Sequence, residues 1–266
     1  MAPAACSGPA PTPGVELRGR CSACRVMAVV EYDGTDFLGF QRQPEGPTVQ
    51  GTLEETLRHL FGREVQVLGA GRTDAGAHAV GQVVAFDVAW RHPLGELKNA
   101  LNALLPRSIA VREVETAPEG FHPRFDAVSR EYRYRVFNRP IRSPLEERFS
   151  YHVPEALDVD QMNAAARYLV GIHDFASFGR PTQGESTIRE VRRALWHREG
   201  PHVTLTIEAN AFLQGMVRSI VGTLLEVGKG RMEPSAVQEV LEARDRGRAG
   251  ATVPARGLCL VKVNYR

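Results

Sequence analysis

Residues 68–82, LGAGRTDAGAHAVGQ, set one carboxylate, Asp74, among four glycines, with Arg72 two positions before it and His78 four after. Gly69, Gly71, Gly76 and Gly81 remove side-chain bulk and permit positive φ, so another backbone or a ligand can come close. Placed in a turn rather than on a strand face, the Asp74 carboxylate can project into a cleft. An arginine within about 4–6 Å favours the ionised form of such a group, and Arg72 is the nearest in sequence. A permanently charged carboxylate serves as a nucleophile or an electrostatic stabiliser, not as a general acid. The competing reading is an Asx turn, in which Asp74 only accepts a backbone N–H two residues on. His78 is either a general base or a loop histidine facing solvent.

Other sites with chemistry are thinner. The chain has no GxxxxGK[ST] phosphate loop, no GxGxxG between a strand and a helix, and no GxSxG. No second carboxylate stands at a spacing that would pair with Asp74 as in a glycosidase. Cys21-Ser-Ala-Cys24 has the spacing of half a zinc site, but no second CxxC or HxxxH completes it, so no metal is expected. What remains is a carboxylate-centred site that needs no cofactor.

Net charge is only +2, but its distribution is uneven. Arg124, Arg130, Arg133, Arg135, Arg139, Arg142 and Arg148 crowd one tract against Asp126, Glu131, Glu146 and Glu147. Within SREYRYRVFNR the arginines alternate with aromatics. A guanidinium meets phosphate and a ring offers a face to an unstacked base, which suits an RNA surface. A solvated strand face with snorkelling arginines fits the same pattern.

The elements that must position these groups follow from periodicity. Residues 1–24 read as a disordered leader, rich in Pro and Gly and without a periodic apolar pattern. It lacks the basic and apolar regions of a secretory signal, and no run of about 18 apolar residues follows, so a cytoplasmic protein with no membrane contact is expected. Strands are expected at 26–32, 65–70, 81–88 and 109–116, with helices over TVQGTLEETLRHLFG and PLGELKNALNALLP. That order, β-α-β-β-α-β, is ferredoxin-like. The second half repeats it with additions: strands at about 129–138, 148–153, 188–198, 202–209 and 258–265, a helix over DVDQMNAAARYLVG, a long helix over LQGMVRSIVGTLLEVG, and a short one from Pro234. The expected fold is α+β, with two ferredoxin-like halves, 25–125 and 126–266, whose mostly antiparallel sheets join edge to edge around a central cleft. Residues 179–187, GRPTQGEST, read as a mobile loop or a passive connection.

GRTDAGAH (71–78) resembles the G-R-T-D-x-G-V-H signature of the tRNA pseudouridine synthase A family. Four further blocks resemble the family in order: VEYDGTDFLGFQRQ (30–43), GFHPRFDAVSREYRY (120–134), ANAFLQGMVRSIVGTLLEVG (209–228) and GLCLVKVNY (257–265). Ala77 departs from the usual valine, and Cys259 from a common aromatic. The resemblance implies an isomerase that converts uridine to pseudouridine in the anticodon stem-loop of tRNA, detaching the base at N1 and rejoining it through C5. It implies no cofactor and no metal, and a cytoplasmic homodimer with the tRNA lying across both subunits. By the same resemblance Asp74 is the catalytic aspartate, Tyr132 packs on the target uracil, with help in removing the C5 proton as a second role left open, and Arg72 and Arg218 are active-site arginines. Arg218 sits in an otherwise apolar helix with Gly215 and Gly222 near it, small neighbours that would let an anion approach. Two alternatives stay open: a non-catalytic RNA-binding or tRNA-folding protein on the same scaffold, and a nucleoside hydrolase that releases the base.

Overall fold

The structure is a computed structural model that describes residues 24–181 and 184–266. The expected leader 1–24 lies outside the described residues except for Cys24, which begins the first strand.

The first half runs β1 (Cys24–Tyr32), α1 (Val49–Phe61), β2 (Leu68–Gly69), β3 (His78–Val88), α2 (Leu94–Leu104) and β4 (Ile109–Thr116). Helix α1 starts where the Thr48 side chain accepts from the Gly51 N–H and stops at Gly62, in the left-handed region at φ 66. The second half runs β5 (Ser129–Asn138), β6 (Tyr151–Val153), α3 (Val159–Ala166), β7 (Gly171–Asp174), β8 (Ile188–Glu199), β9 (His202–Ala209), α4 (Met216–Gly228), α5 (Ala236–Ala243) and β10 (Leu258–Asn264).

Among the described residues one sheet contains all ten strands, in the order β4-β1-β3-β10-β5-β9-β8-β7, with β2 on β3 and β6 on β5. Within the first half β4-β1-β3-β2 is the antiparallel ferredoxin order. The second half repeats it as β10-β5-β9-β8, with β6 and β7 added. The fold is therefore α+β, two ferredoxin-like halves joined edge to edge, and the seam is the parallel pairing of β3 with β10.

The seam exists because β2 is short. Strand β2 covers β3 only at Val84 and Ala85, which leaves His78 and Ala79 free to pair with Cys259 and Leu260. Gly81 lies at the crossing, where a Cβ would stand 2.1 Å from the Val261 carbonyl oxygen. Any larger residue would push the two halves apart.

Burial alternates along β1, β5 and β9, so one face of these strands is packed under helices and the other is more open, whereas β3 at the seam is buried on both faces. On β1 Val26, Ala28, Val30 and Tyr32 point into the core, as Tyr132, Tyr134 and Val136 do on β5 and Val203, Leu205 and Ile207 on β9. Leu53 and Leu57 of α1, Leu97 and Leu101 of α2, and Ile220 and Leu224 of α4 pack down on them. Each such buried side chain contributes about 1.5–3 kcal/mol.

Four elements differ most from expectation, the first being the strand expected at 148–153, which contracts to Tyr151–Val153. The strand at 65–70 contracts to two residues, although Val65 and Val67 are still buried. Strand β3 begins at His78, three residues before the expected 81. Strand β7 was not expected, because its four residues, GIHD, include an exposed Ile172 and carry no alternating apolar signal.

Candidate active site

The loop between β2 and β3 carries Asp74 on the helix-covered side of the seam, and its backbone is held at nearly every residue. Ala70 N–H donates to Val83 O at 2.8 Å. Gln82, fully buried, accepts from Gly71 N–H at 3.1 Å and donates to Gly71 O at 2.8 Å. Thr73 exchanges a hydrogen bond with the Tyr32 hydroxyl at 2.8 Å. The block 30–43 lies against the same loop: Phe40 N–H donates to Thr73 O at 3.1 Å, and Gly76 N–H to Phe37 O at 3.2 Å. Gly39, at φ 99, lets this approach happen, since a Cβ there would lie 2.7 Å from Thr73 O. Two sequence blocks that are far apart in the chain thus form one rigid seat.

On that seat the Asp74 carboxylate faces Arg218. Arg218 Nη1 donates to Asp74 Oδ2 at 2.9 Å, with about a quarter of each side chain exposed. Among the described residues no backbone N–H donates to the Asp74 carboxylate, so the Asx turn is not formed. Arg218 is aimed by its other end, where Nε donates to Val253 O at 2.7 Å. The carbonyl gets there because Gly222 admits the preceding chain: a Cβ on Gly222 would stand 1.8 Å from Ala251 O. The space at Gly222 is therefore filled by this protein's own backbone and not by a ligand.

Arg72 does not serve as Asp74's partner. It is exposed and makes no hydrogen bond or ion pair among the described residues. It lies close enough to Arg124 for its charge, together with burial of Arg124, to lower the Arg124 pKa, burial being the larger cause. Neighbouring positions in a loop diverge, and the counter-ion arrives from 144 positions away.

Tyr132 lies against the loop, its hydroxyl 3.5 Å from where a Cβ on Gly71 would sit. Its ring meets Phe212 edge-on, with centroids 5.0 Å apart, and only 7% of the residue is exposed. Burial pushes the phenol pKa well above its usual value, with Asp74 adding to the effect and Arg130 opposing it. Burial that favours the protonated phenol suits stacking better than proton abstraction.

His78 is neither a base nor a solvent-facing residue. It is buried at the start of β3, where Nδ1 accepts from Gly34 N–H at 3.1 Å. Nε2 then carries the proton and faces Arg148 O at 2.9 Å and Arg256 O at 3.1 Å. It ties three segments together beneath the seam.

The basic strand is also divided. Because side chains alternate on β5, Arg133 and Arg135 project from the open face, opposite Tyr132. The reading of SREYRYRVFNR as one arginine-aromatic surface is therefore wrong for this site. Arg130 is buried, and its guanidinium donates to Ala70 O at 3.1 Å, Arg124 O at 2.5 Å, Asn210 O at 2.9 Å and Ala127 O at 3.4 Å. Burial lowers its pKa from the ordinary arginine value. It fastens the Asp74 loop to the turn at 122–127 and to the approach to α4. Its inward position is set by strand phase, which the spacing from Tyr132 could have revealed.

The expected mobile loop includes residues 182 and 183, outside the described residues. Its described start is pinned to the approach to α4, where Arg180 and Gln214 exchange backbone hydrogen bonds at 2.8 and 3.3 Å. Among the described residues no group of His, Cys, Asp or Glu could hold a metal ion, and no helix is long and apolar enough to cross a membrane.

The model of the tRNA pseudouridine synthase family matches residues 28–126 and 165–266. The chain belongs to that family. It is 47% identical over 242 residues to the tRNA pseudouridine synthase A of Brevibacillus brevis, covering 91% of this chain and 99% of that one. It is 45% identical over 244 residues to that of Myxococcus xanthus, covering 91% and 92%. Among solved structures, a chain of a Cbf5-Nop10-Gar1 complex aligns with a TM-score of 0.37 at 12% identity, over 89% of this chain and about half of that one, 49%. Asp74 and Arg72 fall in the first block of the family match and Arg218 in the second, while Arg130 and Tyr132 lie between the blocks.

Proposed function

We propose that this chain isomerises uridine to pseudouridine in the anticodon stem-loop of tRNA, with Asp74 as the acting carboxylate and without a cofactor. The observation that carries the reading is the Asp74–Arg218 pair, seated at the seam between the halves inside a family whose relatives are tRNA pseudouridine synthases. In the reaction the C1′–N1 bond opens, the uracil turns, and a C1′–C5 bond forms. The C5 proton passes to water and N1 takes one up, so atoms balance without an external reagent.

The roles follow from placement. Asp74 acts on the nucleoside as the glycosidic bond opens, with its carboxylate oriented by Arg218. Tyr132, protonated and packed behind the loop, meets the turned-out base with its exposed remainder. Turning a uridine out of a stem costs a few kcal/mol, and the exposed Arg72 offsets part of that by meeting phosphate. We also infer a cytoplasmic homodimer with the tRNA across both subunits, and a division of the chain into the halves 25–125 and 126–266.

The test is tritium release from unmodified tRNA labelled at uridine C5, comparing the native chain with Asp74→Asn. Release by the native protein alone, with pseudouridine in a nucleoside digest, is the expected result. Tight tRNA binding with no release would mean a non-catalytic RNA-binding protein, and free uracil in the medium would mean a hydrolase.

A further inference from the structure

A rigid turn beside the Asp74 loop presents an aromatic ring to solvent. Phe125 is 68% exposed, although a phenylalanine in a folded domain is ordinarily covered. The turn that carries it is closed on itself. His122 Nδ1 accepts from Arg124 N–H at 3.1 Å, His122 N–H donates to Asp126 Oδ2 at 2.8 Å, and Asp126 N–H donates to His122 O at 3.1 Å. The Phe125 ring lies 4.3 Å from the His122 ring, centroid to centroid, and the Arg124 guanidinium stands 5.9 Å from the Phe125 centroid. Ring, cation and backbone are therefore set before any ligand arrives.

The position of this turn is fixed relative to the site. One nitrogen of Arg130, Nη2, donates both to Ala70 O in the Asp74 loop and to Arg124 O, next to Phe125. Arg72, two residues along from Ala70, and Arg124 lie within electrostatic reach of each other. An exposed ring with the Arg124 guanidinium beside it and the Arg72 charge near Arg124, held to the loop that carries the carboxylate, fits the stacked base and phosphates of a single nucleotide.

We propose that Phe125 is a stacking platform for a nucleotide flanking the target uridine, with Arg72 and Arg124 against its phosphates. The inference rests on the tRNA-modifying reading. Its ligand is RNA, not a second protein chain, because the Arg124 guanidinium stands near the ring and Arg72 adds a second positive charge close to Arg124.

The experiment compares the native full-length chain with Phe125→Ala, Phe125→Leu and Phe125→Trp, using an unmodified tRNA transcript. KM and kcat for pseudouridine formation are measured beside equilibrium tRNA binding, thermal unfolding and sedimentation. Base–aromatic stacking predicts a KM about ten- to hundred-fold higher for Phe125→Ala and Phe125→Leu. Phe125→Trp should restore native KM, with kcat and the melting temperature little changed throughout. Leucine keeps the apolar area but not the ring, so native KM in Phe125→Leu would overturn the proposal. Unchanged KM in Phe125→Ala would overturn it too, as would a shift in sedimentation without a change in tRNA affinity, which would assign the ring to a protein contact. If the native chain binds tRNA but forms no pseudouridine, the binding series still decides the platform while the catalytic reading falls.

Discussion

Arg218 donates to Asp74 at 2.9 Å from a residue 144 positions away, across the seam between the two halves of the sheet. The same guanidinium is anchored through Nε on Val253 O at 2.7 Å. The bond is therefore a product of three segments: the loop between β2 and β3, the start of α4, and the chain that leads to β10.

Arg218→Lys keeps the charge but has one donor group for two acceptors. Charge-assisted hydrogen bonds contribute about 1.5–3 kcal/mol, so kcat for pseudouridine formation should fall about ten- to hundred-fold. The affinity for tRNA should change little. A loss confined to affinity would show that Arg218 grips RNA and does not orient Asp74.

Arg130 and Arg133 differ by three positions and should behave oppositely. Arg130→Met strands the buried Ala70 carbonyl and part-buried carbonyls at Arg124 and Asn210, and a buried unsatisfied group costs about 1–3 kcal/mol. Urea unfolding should show a loss of that order or more, with Arg130→Lys recovering part of it. Arg133→Ala and Arg135→Ala, on the open face, should stay within about 0.5 kcal/mol of native. Their KM for tRNA should be unaltered, and a large rise would return the open face to the RNA surface.

The seam can be tested with two glycines. Gly81→Ala drives a methyl into the Val261 carbonyl at 2.1 Å and should destabilise the chain by about 1–3 kcal/mol or more. Activity should fall with it, because the Asp74 loop enters β3 just before this crossing. Gly95→Ala, in the first turn of α2 with nothing within 4 Å, should stabilise by about 0.4–1 kcal/mol. Thermal melts of the two variants are expected to shift in opposite directions.

Buried phenols set the alkaline limit. Desolvation is the main cause that raises the pKa of Tyr32, Tyr132, Tyr134 and Tyr265 above the usual tyrosine value. The folded chain then holds these protons more tightly than the unfolded chain, which releases them near about pH 10. Their contribution is complete below that pH and is lost as pH rises towards the raised folded values. Unfolding monitored by circular dichroism should steepen above about pH 10, and Tyr32→Phe should make the slope shallower. An alkaline rise in kcat near neutral pH, abolished in Tyr132→Phe, would contradict the protonated role given to Tyr132.

Much of this protein can be read from its order of residues. Short-range physics is local: β-branched alternation makes β1 and β9, and Thr48 and Gly62 bound α1 through their own caps. The same periodicity announces two ferredoxin-like halves, and the glycine-flanked Asp74 stands out as the acid with the least bulk around it. What spacing cannot carry is the identity of partners across the sheet. Arg72 lies beside Asp74 in sequence yet turns away, while Arg218 arrives from α4. SREYRYRVFNR reads as one basic surface until the pleat sends Arg133 and Arg135 to one face and Arg130 and Tyr132 to the other. His78, a loop residue by sequence, becomes a buried strand residue because β10 closes over the start of β3. Local propensity acts within a few residues, whereas these contacts join segments tens to hundreds of positions apart, and only packing of the two halves brings them within a hydrogen bond's reach.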